Sequence, residues 1–184
     1  MKVLAIIPAR GGSKRLKKKN IYPIWGQPML SWAIKACKES KYNIEPWVST
    51  EDEEIKEVAI KHGAKVHDRI PELAKDKVYK QAAIRAAAKY IFTTYKKYDI
   101  IISLQANSPQ IKAEHLDKAI DIFLKYERDE VFSVDENLMQ NAAFRIFKGD
   151  YVFQEDLSTN CGVFVCPLHD VHTAEDARSL ENER

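Results

Sequence analysis

The thirteen residues Pro8-Ala9-Arg10-Gly11-Gly12-Ser13-Lys14-Arg15-Leu16-Lys17-Lys18-Lys19-Asn20 hold the densest chemistry in the chain. Two adjacent glycines let backbone amides approach phosphate oxygens without a Cβ in the way, and Ser13 adds a hydroxyl donor. Arg10 and the lysines bring the positive charge that a triphosphate requires. The GxxxxGK[ST] spacing is absent, so this device differs from the Walker loop. The same residues also suit a solvated connection, and a cluster such as Arg15 to Lys19 occurs in nucleic-acid patches. Nucleic acid is not the expected partner, because no aromatic side chains are interleaved with the cluster and the whole chain carries a formal charge of only +2.

Such a loop needs a scaffold. Lys2 to Ile7 is a near-continuous apolar run ended by proline, the pattern of a strand buried on both faces. Similar runs recur at Glu45 to Ser49, Asp99 to Leu104, Glu130 to Val134 and Gly162 to Cys166. Between them, Leu30, Ala33, Ile34 and Cys37 share a helical face, as do Ile55, Val58, Ala59 and His62, and later Leu116, Ala119, Ile120 and Phe123. Thr50-Glu51-Asp52-Glu53 predicts a capping box at the start of the second of these helices. Alternating strands and helices imply an α/β fold, a mostly parallel sheet with helices on both faces. The loops after Ile7, Ser49 and Leu104 should then share one crevice beyond the carboxyl ends of the strands. After Val134 the alternation stops, and Ala143 to Phe147 with Tyr151 to Phe153 around Lys148-Gly149-Asp150 predict a small β-hairpin in the C-terminal third.

With 184 residues, 45% of them hydrophobic, and no repeat or low-complexity linker, one domain over 1–184 is expected. Cys37, Cys161 and Cys166 lack CxxC spacing, which argues against a disulfide framework and a zinc site and predicts buried free thiols. The opening apolar run is too short for a signal-peptide core and no stretch approaches the roughly 20 apolar residues of a membrane helix, so a soluble, cytoplasmic protein without membrane contact is expected. His62 and His67 read as structural residues on a helix end and a strand. Trp25, Trp32 and Trp47 should cover the core, with Trp25 close enough to the basic loop to line its pocket, and the Asn107 amide could face a bound sugar or metal-bound water.

Ile6-Ile7-Pro8-Ala9-Arg10-Gly11-Gly12-Ser13-Lys14, followed by Lys19-Asn20, resembles the signature of the acylneuraminate cytidylyltransferases, the CMP-sialic acid synthetases. Val48-Ser49-Thr50-Glu51-Asp52-Glu53-Glu54-Ile55 is similar to that family's second loop and helix, with Glu51 where aspartate is usual. Arg69, Pro71, Glu72, Leu73 and Asp76 resemble its Arg-Pro-x-x-Leu-x-x-Asp segment, and Leu104-Gln105-Ala106-Asn107-Ser108-Pro109 its Leu-Gln-Pro-Thr-Ser-Pro. Asn160-Cys161-Gly162 resembles an Asn-Gly-Ala strand, and Asp170-Val171-His172-Thr173-Ala174-Glu175-Asp176 an Asp-Ile-Asp-Thr-x-Glu-Asp segment whose two leading aspartates bind Mg2+.

The resemblance implies a nucleotidyltransferase with a CTP-binding part over about 1–135 and a shortened sugar and dimer part over about 136–184. CTP and a nonulosonic acid of sialic, legionaminic or pseudaminic type would give a CMP-sugar for surface-polysaccharide synthesis, and pyrophosphate, with Mg2+ as cofactor and a homodimer as the assembly. By position, Arg10 and Lys19 would be catalytic. Pro8, Ala9, Arg10, Gly11, Gly12, Ser13, Lys19, Asn20 and Arg69 would hold the nucleotide, Gln105, Asn107 and Asn160 the sugar, and Asp170 the metal. Three departures fall on the acceptor side: His172 replaces the second aspartate, Ile111 stands where arginine is usual, and Phe153-Gln154-Glu155-Asp156 lacks the basic residues expected there. Magnesium prefers oxygen ligands, so His172 alters the metal site. A nucleotide-binding homologue without turnover, and a related nucleotidyltransferase using another base or sugar, remain as alternatives.

Overall fold

The computed structural model describes residues 1–156 and 158–183. Its first strand, β1 (Val3–Pro8), runs into the basic loop, which leads to the two-residue strands β2 (Pro23–Ile24) and β3 (Gln27–Pro28) and to α1 (Met29–Glu39). There follow β4 (Glu45–Thr50), α2 (Glu53–Lys61), β5 (Lys65–Asp68), α3 (Lys80–Thr94), β6 (Ile100–Leu104), α4 (Ala113–Lys125), β7 (Glu130–Val134), β8 (Gln140–Lys148), β9 (Cys161–Val165) and α5 (Ala174–Asn182). Seven of the strands form one sheet in the order β5-β4-β1-β6-β8-β7-β9, in which β8 alone runs against its neighbours. β1 sits between β4 and β6, with Ile7 beside Val48 and Ile6 beside Ser103, so the ends of all three strands open on the same side.

The uninterrupted apolar character of β1 has a direct cause in the layers. Val3, Ala5 and Ile7 pack with the buried faces of α1, α2 and α4, whereas Leu4 and Ile6 pack on the other face with Ile84, Ala87, Ala88 and Ile91 of α3. Helices therefore cover both faces, as the alternation implied. A third, smaller cluster joins Leu16 of the basic loop to Ile24, Met29, Val171, Ala177 and Leu180. Leu16 thus fastens a highly charged loop to α5, and burying such a side chain contributes roughly 1.5–3 kcal/mol.

Several local expectations are corrected. The small antiparallel unit exists, but β8 pairs with β7 and β6, and Gly149–Phe153 is a 3-10 turn rather than a returning strand. A Cβ on Gly149 would lie 2.1 Å from the Tyr98 carbonyl oxygen, so this glycine serves a close approach to the backbone that leads into β6 and not a hairpin. Buried Val152 then packs beside Tyr98 and Phe147. At α2 the cap is Asp52, whose Oδ1 accepts from the Ile55 amide at 3.1 Å, in place of Thr50. Cys37 and Cys166 are buried, but Cys161 is exposed because β9 is the edge of the sheet. Trp47 is a core residue; Trp25 lines a separate cavity with Trp32, Lys35 and Gln110, and not the pocket of the basic loop. Among the described residues, no helix is long and apolar enough to cross a membrane.

Candidate active site

Beyond the carboxyl ends of β1 and β6 lies an open cavity of about 520 Å3. Pro8, Arg10, Ser13, Lys14, Arg15, Lys19 and Asn20 form one wall, Arg69 and the segment from Leu73 to Ala83 a second, and Gln105, Asn107 and His172 the third. Arg10, Lys14, Arg15, Lys19, Arg69, Lys75 and Lys80 all reach it, whereas Asp76 is the only carboxylate among its described lining residues. A nearly neutral chain thus concentrates positive charge in one concavity, the local anion site that the sequence called for.

The loop is held by its own polar groups. The Asn20 amide donates to the Arg10 carbonyl at 2.8 Å, and the buried Ala9 donates its amide to the Ser49 carbonyl at 3.0 Å. Lys18 adopts a left-handed backbone (φ 54°), and its ammonium pairs with Glu54 at 2.6 Å, so the chain turns there and brings Lys19 into the cavity. Arg10 donates to Asp76 Oδ1 at 2.7 Å and to the Ala74 carbonyl at 3.2 Å, and Lys14 pairs with the other oxygen of Asp76 at 2.5 Å. Asp76 therefore tethers two loop cations to the opposite wall. Burial, with the nearby charges of Arg15 and Arg10, lowers the Lys19 pKa below the ordinary lysine value, and Asp170 partly opposes this.

Gly11, expected to cradle phosphate, is engaged elsewhere, and Arg69 is anchored to its neighbours. The Gly11 amide donates to Glu51 Oε1 at 2.8 Å, and a Cβ at this position would fall 2.2 Å from Asp52 Oδ2. Gly11 is required by its contact with the helix cap, and neither it nor Gly12 lines the cavity. Arg69 is buried and donates to the backbone carbonyl and, at 3.3 Å, to the hydroxyl of Ser49, while still reaching the cavity. His67 shares that hydroxyl at 2.9 Å, which is a structural role.

The third wall is assembled from distant parts of the chain. Val171 donates its amide to the Asn107 carbonyl at 2.8 Å, and the Asn107 side chain donates back to the Val171 carbonyl at 3.1 Å. The Ser108 hydroxyl donates to Asp170 Oδ1. His172 reaches the cavity with Nδ1 3.3 Å from the Arg15 guanidinium, and the Thr173 cap with Asp176 starts α5 immediately behind it. Asn160 is not part of this wall: it precedes β9 at the opposite end of the sheet, where it accepts from Arg128 at 2.8 Å and donates to the Glu127 carbonyl at 2.9 Å. Its expected sugar role is withdrawn for that reason. Ile111, at the position where the resemblance places arginine, is buried in the core. Lys80, on the first turn of α3, is a cation of the site that the sequence reading passed over.

The family model described as cytidylyltransferase matches residues 4–160, which include the whole of the basic loop, Arg69, Gln105 and Asn107. The chain belongs to the cytidylyltransferase family. It is 39% identical over 132 residues to N-acylneuraminate cytidylyltransferase A of Danio rerio, a match covering 72% of this chain and 30% of that protein. It is 36% identical over 139 residues to the pseudaminic acid cytidylyltransferase of Campylobacter jejuni, covering 74% of this chain and 59% of the relative. The matches therefore span less than two thirds of either relative. Among solved structures, a CMP:2-keto-3-deoxy-manno-octonic acid synthetase complexed with CTP superposes with a TM-score of 0.79 at 16% identity, covering 100% of this chain and 98% of that one. A cytidylyltransferase from Leptospira borgpetersenii gives 0.71 at 20% identity, covering 98% and 85%. These two likenesses show that the cytidylyltransferase shares their fold. Asp170 and His172 lie beyond the residues matched by the family model; His172 lines the cavity, and Asp170 stands behind it, bonded to Ser108.

Proposed function

We propose that this cytidylyltransferase couples CTP to a 2-keto-3-deoxy sugar acid of nonulosonic type, giving a CMP-sugar and pyrophosphate. The observation that carries the reading is the cavity itself: a triphosphate-sized concentration of Arg and Lys on the β1 side faces Gln105 and Asn107 on the β6 side. The anomeric hydroxyl of the sugar acid attacks the α-phosphorus and gives up its proton to solvent, while the bond from the α-phosphorus to the bridging oxygen breaks and pyrophosphate leaves with its electron pair. Arg10 and Lys19 stabilise charge that grows on the phosphates as this happens, which is electrostatic catalysis by preformed cations. Ser13 donates to the nucleotide, Asn20 keeps the loop in shape, and Arg69 braces the far wall. Gln105 and Asn107 orient the acceptor. The names of the relatives in Danio rerio and Campylobacter jejuni support the substrate class.

The donor set also bears on magnesium. Among the described residues no three His, Cys, Asp or Glu side chains gather as a metal cluster, and Asp170 is the carboxylate whose charge acts on Lys19. A single carboxylate suits an ion that takes most of its oxygen ligands from substrate and water, so Asp170 is the residue that would hold Mg2+. When bound there, Mg2+ would neutralise phosphate charge, with His172 beside it in place of a second carboxylate. A homodimer in the cytoplasm accords with the resemblance and completes the reading.

The test compares CTP, ATP, GTP and UTP side by side with a panel of nonulosonic acids and Mg2+, following pyrophosphate and CMP-sugar. CTP-dependent release of both products is expected. Turnover with another nucleotide alone would overturn the base assignment. His172 favours one other reading, a protein that binds CTP without turnover; in that case CTP raises the melting temperature while no product forms.

A further inference from the structure

The cations of the cavity are not equivalent. Arg10 and Lys14 are tied to Asp76, Arg69 is bonded to Ser49, and Arg15 stands against His172. Lys80 differs from these in both position and surroundings. It is the first residue of α3, and it lines the cavity together with Val78 and Ala83 of the same segment. Its charged neighbours are Asp170, on the third wall, and Arg145, on β8 opposite Ser103 of β6. Neither Arg10 nor Lys14 is among them. Arg145 is in turn paired with the fully buried Glu130, so its charge is already compensated. Among the described residues no ion pair joins Lys80 to a carboxylate, although its ammonium remains open to the cavity.

We infer that Lys80 is the specificity-determining cation for the acceptor, binding the carboxylate of the sugar acid on the β6–β8 side of the cavity. This rests on the function proposed above. A sugar acid must bring its carboxylate, attached at the anomeric carbon, next to a triphosphate, and the two anions repel each other over that short distance. A cation on the acceptor side, outside the loop that holds the phosphates, offsets this repulsion and distinguishes an acid from a neutral sugar. The compact ammonium of lysine suits a single carboxylate as a point charge. Gln105 and Asn107, which line the same cavity, carry no charge and give direction but little affinity for an anion.

The experiment measures binding of N-acetylneuraminic acid and of its carboxamide to the full chain, in the presence of CTP carrying a methylene bridge between the α- and β-phosphorus atoms so that no turnover occurs. Wild type, Lys80→Gln and Lys80→Arg are compared, with Lys77→Gln as a neighbouring exposed control and the melting temperature of each recorded. Wild type and Lys77→Gln should prefer the acid over the carboxamide by roughly 10-fold or more, as a charge-assisted contact gives. Lys80→Gln should lose that preference while retaining affinity for the nucleotide, and Lys80→Arg should restore it. An undiminished preference in Lys80→Gln, or a loss of nucleotide affinity with the preference intact, would overturn the inference and leave the cytidylyltransferase reading standing. If wild type binds the nucleotide but neither acceptor, and releases no pyrophosphate from CTP with any nonulosonic acid, the functional reading fails and the role of Lys80 fails with it.

Discussion

The two sides of the cavity are built in opposite ways. On the nucleotide side, the functional groups follow one another in a single loop, which is held by Asn20 bonding back to Arg10 and by the corner between β4 and α2, where Ala9 meets Ser49 and Gly11 meets Glu51. On the acceptor side, the wall exists only because remote segments meet. Asn107 and Val171 are 64 residues apart, and Ser108 and Asp170 are 62 apart. The first side is a preformed cradle for one kind of anion, whereas the second is a docked surface that meets the cradle through Leu16 against α5 and through Arg15 against His172. Of the departures from the family pattern, His172 stands on the second side, Glu51 supports the first, and Ile111 is buried in the core.

Removing the cradle's central charge should produce the largest effect. Arg10→Ala is expected to reduce kcat by roughly 100- to 1,000-fold, the scale for losing one preorganised group that stabilises transition-state charge. The melting temperature should hardly change, because Arg10 and Asp76 are both well exposed and such pairs contribute little to stability. Steady-state kinetics with a thermal melt checks both halves of this expectation. A variant that melts much earlier would mean that the cradle is a structural element first.

The next effect concerns the docked wall. His172→Asp supplies the second oxygen donor beside Asp170 and should lower the Mg2+ concentration needed for half-maximal rate by roughly 10-fold, the scale on which metal sites respond to their supporting ligands. The CTP-induced thermal shift measured without metal should stay unchanged. An equal effect on both would dissolve the distinction between the two sides.

Asn107→Ala breaks the side-chain bond to Val171 and leaves a buried carbonyl without its partner, at a cost of about 1–3 kcal/mol of stability. We expect KM for the sugar acid to rise several-fold while KM for CTP holds. Urea unfolding and a two-substrate kinetic matrix would measure these.

The smallest effect is a displacement in pH. Burial and the charges of Arg15 and Arg10 lower the Lys19 pKa, so its positive form is lost at a lower pH than for an ordinary lysine. The alkaline limb of kcat/KM for CTP, which reports the free enzyme, should therefore fall below the lysine value of 10.5, and Lys19→Arg should move that limb upward. An alkaline limb that ignores the substitution would remove Lys19 from the phosphate site.

The same contrast explains what could be read from the sequence. Contiguous chemistry was legible: the basic loop after a buried strand, the alternation of strands and helices, and a crevice at their carboxyl ends all follow from local pattern. Contacts across distance were not. Gly11 looks like a phosphate-cradling glycine until Asp52 is found against it, and Gly149 looks like a hairpin turn until the Tyr98 carbonyl is found there. Asn160 matched a motif but sits at the wrong end of an edge strand. α3 was overlooked because its buried face is made largely of alanines, Ala83, Ala87 and Ala88, which give a weak hydrophobic period, and Lys80 was overlooked with it. The Thr173 capping box with Asp176 was the available signal for α5.

The most direct test of the central claim is pyrophosphate release by purified protein with CTP, Mg2+ and nonulosonic acids, run beside Arg10→Ala with CTP binding measured on both. Release by the wild type that collapses in Arg10→Ala, with the fold intact, is the predicted result. CTP binding by the wild type with no release from any acid would contradict it and identify a nucleotide-binding protein without turnover.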